Sequence, residues 1–177
     1  MTSKTTLKST SIIAILAFAT FFIGAGSYFQ TNSEGHHFAF AQSQPKYFDA
    51  KLTGKDEVPS KDTKATGIAG FNVIDNNTIR YTVNVTDIQK VTASHIHQGK
   101  AGVNGPVVVT LFKTDNPSAM TNGTLAKGNI TSSNLEGPLA GKQISDLINI
   151  MKNGDAYVNV HTEANPKGEI RGQLSAM

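Results

Sequence analysis

In Ile79-Arg80-Tyr81-Thr82-Val83-Asn84-Val85, apolar and polar residues alternate at every step. A period of two sends successive side chains to opposite faces of an extended strand, whereas a helix would scatter these apolar residues around its axis. The same short, β-branched signature recurs from Lys46 onward, broken by turn residues about every ten positions. Strands are predicted over Tyr47–Leu52, Gly67–Ile74, Thr78–Val85, Val91–His97, Val107–Phe112, Ala126–Ile130, Ala156–Thr162 and Glu169–Leu174, with Ala126–Ile130 the weakest pattern. Asp75-Asn76-Asn77 reads as a tight hairpin turn between two of them.

One segment departs from this rhythm. Ile144, Leu147, Ile148 and Met151 fall at helical spacing, and Gly154 follows as a stop, which predicts one helix at roughly 142–152. Seven or eight strands with a single helical crossover imply an all-β fold, an antiparallel β-sandwich with Greek-key connections and one short helix. The 177 residues suffice for one domain with its own core. The segment Ser60 to Thr66 (SKDTKAT) reads as a polar loop.

The first 41 residues stand apart from that domain. Lys4 and Lys8 precede an apolar run from Ile12 to Phe29, and Ala39-Phe40-Ala41 before Gln42 has the form of a cleavage site. Residues 1–41 are therefore expected to be a secretory signal peptide or an uncleaved membrane anchor, since about 18 apolar residues also just span a bilayer. Either way the domain from residue 45 to 177 is expected outside the cytoplasmic membrane, in contact with lipid only through an uncleaved N-terminal segment. Such a compartment tolerates disulfides, yet the chain has no cysteine, so the domain must stand on its core alone. Asn76, Asn84, Asn122 and Asn129 open Asn-x-Ser/Thr sequons, a weak pointer to surface glycosylation. Without Lys4, Lys8 and Glu34, 14 basic residues face 12 acidic ones, which gives no electrostatic case for a nucleic-acid partner.

Only five histidines occur, and two of them flank one isoleucine in His95-Ile96-His97. On a strand both rings leave the same face, roughly 6.6 Å apart along the backbone. His161 closes Tyr157-Val158-Asn159-Val160-His161, in which Tyr157, Asn159 and His161 share a face. If those two strands meet near these ends, three imidazoles converge, a ligand set that suits zinc or copper with a position left open. The lack of cysteine excludes a blue-copper site, and calcium or magnesium would want oxygen ligands. With ordinary imidazole pKa values, metal affinity would fall below about pH 6.5. The competing reading makes the three rings polar strand residues that bond backbone carbonyls at a loop-rich end.

Four stretches carry a resemblance. They are Leu52-Thr53-Gly54-Lys55-Asp56-Glu57-Val58-Pro59, His95-Ile96-His97-Gln98-Gly99 with Asn104-Gly105-Pro106-Val107-Val108-Val109, Tyr157-Val158-Asn159-Val160-His161-Thr162, and Asn165-Pro166-Lys167-Gly168-Glu169-Ile170-Arg171-Gly172. In order and spacing they resemble the CHRD domain, named from chordin and common in exported microbial proteins, over roughly 47–175. Ser60 departs from the family pattern, which usually has a second proline there. The resemblance implies the domain and an exported setting, and no one biochemical activity. The His-x-His motif with its glycine-rich loop is also similar to the copper strand of copper–zinc superoxide dismutase. That similarity adds a superoxide-dismutase-like variant to the Greek-key and immunoglobulin-like sandwiches.

Other constellations are weaker. Glu57 reads as a loop carboxylate that caps amides or pairs with Arg171. Glu169 and Arg171 share a face of the last strand and read as an ion pair of at most about 1 kcal/mol, able to steady an imidazole from behind. Gly99 to Pro106 joins two strands and does not open a helix, so it is a connection whose glycines supply positive-φ turns rather than a phosphate loop. His36 and His37 precede the cleavage site and carry no role. Two functions are compatible with these features. One is an exported domain that binds one copper or zinc ion through His95, His97 and His161, for copper handling or extracytoplasmic redox chemistry. The other is a non-catalytic surface or matrix module that engages an extracytoplasmic protein partner, its histidines structural.

Overall fold

The computed structural model describes residues 46–177, together with the backbone of a short antiparallel pair, β1 (Phe29–Thr31) and β2 (His37–Ala39). That pair falls in one compact unit, Met1–Ser43, and the histidine-bearing domain is the other, Gln44–Met177. Apart from Phe29 and Ala39, the apolar run and the expected cleavage site lie outside the described residues, as do the side chains of His36 and His37. No helix among the described residues is long and apolar enough to cross a membrane.

The domain is all-β and antiparallel, as the alternation demands, with one α-helix. Its strands are β3 (Tyr47–Thr53), β4 (Thr66–Asp75), β5 (Thr78–Ile88), β6 (Val91–Gln98), β7 (Val107–Lys113), β8 (Thr121–Ile130), β9 (Ala156–Thr162), β10 (Ile170–Gln173) and β11 (Ser175–Ala176). They hydrogen-bond as one sheet in the order β7-β6-β9-β10-β3-β4-β5-β8, with β11 added against β3. The sheet curls until its end strands, β7 and β8, approach each other. Across this near-closure the Tyr81 hydroxyl donates to the Leu111 carbonyl at 2.8 Å. The two layers expected of a sandwich are thus halves of one continuous, nearly closed sheet.

Alternate residues fill the interior. Phe48, Ala50 and Leu52 of β3, Ala69 and Phe71 of β4, and Ile79, Val83 and Val85 of β5 are buried together. β4 and β5 are joined at Asn76-Asn77, where Asp75 Oδ1 accepts from the Asn77 amide at 2.8 Å. Helix α1 (Ile144–Lys152) buries Ile144, Leu147, Ile148 and Met151 in the same core. At its start the Gln143 amide donates to Asp146 Oδ2, and Gly154 with φ +69° ends it by adopting a conformation that L side chains resist.

Two details of β6 and β9 prepare the site. β6 pairs with β9 through Val91↔Thr162 and then Ala93↔His161, so β6 carries one extra residue there. This bulge reverses which face the following residues occupy. Val91 is buried before it, while Ser94 and Ile96 are buried after it, so His95 and His97 leave the core and emerge on the outer face. β9 sits between β6 and β10, and both its faces are covered. Val158 and Val160 enter the core, and Tyr157 and Asn159 are buried on the outer side.

Candidate metal centre

Register fixes who meets whom on that outer face. His95 lies opposite Asn159, His97 opposite Tyr157, and Ala93 opposite His161. β10 continues both rows, placing Arg171 beside Asn159 and Gln173 beside Tyr157. The three histidines named from the sequence therefore come together. Ring centroids are 4.9 Å apart for His95 and His161, 5.7 Å for His95 and His97, and 6.0 Å for His97 and His161. One ring nitrogen from each lies within 4.8 Å of the others, so the group can hold a metal ion.

The remaining nitrogens define which lone pairs are free. His97 Nδ1 is 2.9 Å from the Gly105 carbonyl and His161 Nδ1 is 3.0 Å from the Pro166 carbonyl. A carbonyl only accepts, so both rings carry their proton on Nδ1 and present Nε2 as a lone pair. His161 Nε2 spends that lone pair on His95 Nδ1, 3.0 Å away. His97 Nε2 is buried with no hydrogen-bond partner. Nitrogens bound to one tetrahedral ion at 2.0–2.1 Å sit about 3.4 Å apart, so closing the cluster on an ion needs side-chain shifts on the order of 1 Å.

Electrostatics favour neutral rings. Burial, followed by the neighbouring imidazoles His161 and His97 and by Lys113, pushes His95 down from 6.5 to about 4. Burial also lowers His97 and His161, against the carbonyls of Gly105 and Pro166. All three rings thus take up protons at lower pH than free imidazole, so proton competition for an ion begins lower than free imidazole would suggest.

Behind the histidines lies a buried polar layer. Asn159 Nδ2 donates to Glu57 Oε1 at 2.8 Å, with Asn159 4 % and Glu57 6 % exposed. Gly168, at φ +128°, packs against this pair, where a Cβ would lie 2.6 Å from Glu57 Oε1. The sequence pairs Glu169 with Arg171, but the structure separates them. Glu169 accepts from the Thr63 and Thr162 hydroxyls and the Asn165 amide. Arg171 turns to the loop between β6 and β7, donating to Asn104 Oδ1 and to the carbonyls of Lys100 and Val103. That loop is tied down, with positive φ at Gly102 and a close approach at Gly105, where a Cβ would fall 1.7 Å from the Gln98 carbonyl.

Burial, opposed chiefly by nearby Arg171, raises Glu57 from 4.5 to about 7. Between those values the folded state binds more protons than the unfolded chain at this carboxyl, so Glu57 makes stability fall as pH rises. His95 acts with the opposite sign, because its depressed value makes stability fall as pH drops from 6.5 towards 4. Glu57→Gln removes the first effect and keeps an acceptor for Asn159. The difference in melting temperature between Glu57→Gln and wild type should therefore move in favour of the variant from pH 4.5 to 7. A flat difference across that range would show Glu57 ionising at its ordinary value.

The family model for the CHRD domain matches residues 48–174. The chain belongs to the CHRD domain family. No curated protein and no solved structure matches it. The matched span of the CHRD domain contains every residue of the histidine cluster and of the polar layer behind it. From the sequence, Tyr157 and Asn159 are placed on the His161 face without a role, although both are buried parts of the support. Their signal is the alternation Tyr157-Val158-Asn159-Val160-His161, in which polar residues recur on one side of a strand otherwise fit for the core.

Proposed function

We propose that this CHRD domain binds one copper or zinc ion through His95, His97 and His161, outside the cytoplasmic membrane, for copper handling or a redox reaction. The observation that carries this reading is His97 Nε2, a buried lone pair with no partner beside two other neutral imidazoles. A buried nitrogen left unpaired costs free energy, and an ion would satisfy it together with its neighbours. An all-nitrogen donor set matches the preferences of copper and zinc and disfavours calcium and magnesium. The ion would supply Lewis acidity or, if copper, an exchangeable electron, while His97 and His161 hold their Nδ1 protons on the Gly105 and Pro166 carbonyls. The N-terminal apolar run and the exported setting common in the family support export, with the membrane reached only if that segment stays uncleaved.

Calorimetric titration of the metal-free protein with copper(II) and with zinc should show one equivalent bound per chain. Replacing all three histidines by alanine should abolish it. The interaction-module reading draws on a different fact: each ring already has a partner, in Gly105, Pro166 or a neighbouring ring. It would prevail if wild type and the triple variant took up neither metal and only stability differed between them.

A further inference from the structure

We propose that Arg171 is the positioning residue of the histidine cluster, fixing the ring of His97 by two routes at once. Arg171 is 1 % exposed and has turned its guanidinium under the outer face of the sheet. Its Cζ lies 3.4 Å from the centroid of the Tyr157 ring. The same Tyr157 ring stacks with His97, 4.9 Å away at an interplanar angle of 8°. This first route sets the plane of the imidazole.

The second route runs through the loop. Arg171 Nη1 donates to Asn104 Oδ1 at 3.1 Å, and Nη2 donates to the carbonyls of Lys100 at 3.0 Å and Val103 at 2.9 Å. These bonds shape the turn that delivers Gly105. The Gly105 amide donates to the Tyr157 hydroxyl at 3.1 Å, and its carbonyl accepts from His97 Nδ1 at 2.9 Å. Plane and edge of His97 are thus both referred to one cation, and only Nε2 is left to face the cluster. His161 is held independently, by the Pro166 carbonyl in the turn between β9 and β10. A planar fork that stacks and reaches several acceptors is a task lysine cannot copy.

Arg171→Lys keeps the charge and loses the fork. In wild type, side-chain nitrogen-15 spectra of the metal-free protein should show His97 as a single Nδ1–H tautomer. In Arg171→Lys the His97 signals should move towards a mixture of tautomers while His161 stays unchanged. Copper or zinc affinity should fall about 10- to 100-fold, the range for a partner that orients a ligand from behind. Asn104→Ala, at an exposed position, removes one acceptor without touching the buried cation, and should shift His97 in the same direction by less. His97 signals unchanged in Asn104→Ala overturn the proposal even if Arg171→Lys fails to fold, and so do unchanged signals in Arg171→Lys. Only the affinity arm rests on the metal reading. Wild type that takes up neither metal, with His97 still responsive, would sink that reading and leave the positioning role standing.

Discussion

His161→Ala should lower copper or zinc affinity by more than about 100-fold, beyond the range expected for a residue that only orients a ligand. It removes the nitrogen that β9 contributes and leaves a His-x-His pair on one strand. The fold should survive. His161 is only partly buried, and the variant gives up its bonds to the Pro166 carbonyl and to His95 Nδ1, a loss of about 1–3 kcal/mol. Titration calorimetry and a thermal melt of the metal-free variant read the two quantities separately. A purely structural histidine predicts the reverse, a marked fall in melting temperature with metal uptake no different from wild type.

Ile148→Asp should cost about 3–5 kcal/mol. Ile148 is 6 % exposed and packs with Leu147, Met151 and Ile144 in the core of the domain. An unpaired carboxylate there must be desolvated or take up a proton, with no donor in place to offset the cost. For a domain of this size the melting temperature should drop by roughly 10–20 °C. Ile148→Val, which removes one methylene, should cost only about 0.5–1.5 kcal/mol. Equal melting temperatures for Ile148→Asp and wild type would show that the helix is peripheral to the core.

Local periodicity reveals most of the strands because most of them have one face in the core. It fails where that condition fails. β8 spans Thr121–Ile130, yet only Ile130 is buried, so nothing before Ala126 signals a strand. The bulge in β6 is equally silent. Val91 and the two histidines have the same parity, and only the pairing with β9 reveals that Val91 faces inward while they do not. The histidine cluster is legible because same-face spacing on two strands groups His95, His97 and His161, and the structure brings these three together. Arg171 could not be assigned correctly from spacing. Glu169 stands two residues before it, but precedes β10 and is claimed by three nearer donors. Its true partners are carbonyls and an amide on a loop about 70 residues away, a match that no local pattern encodes.

The pairing of β6 with β9 also sets when the cluster can exist. His95 and His161 are separated by 66 residues, and β7, β8 and α1 all lie between them in the chain. During synthesis or refolding, an early chain offers an ion only the His95–His97 pair. The third nitrogen arrives only when β9 pairs with β6, an event delayed by the loop that must be gathered first. On the proposed metal reading, tight capture would therefore be a late event, reserved for a chain in which β6 and β9 have paired. Once made, it would bind the two ends of that long excursion together and slow their separation.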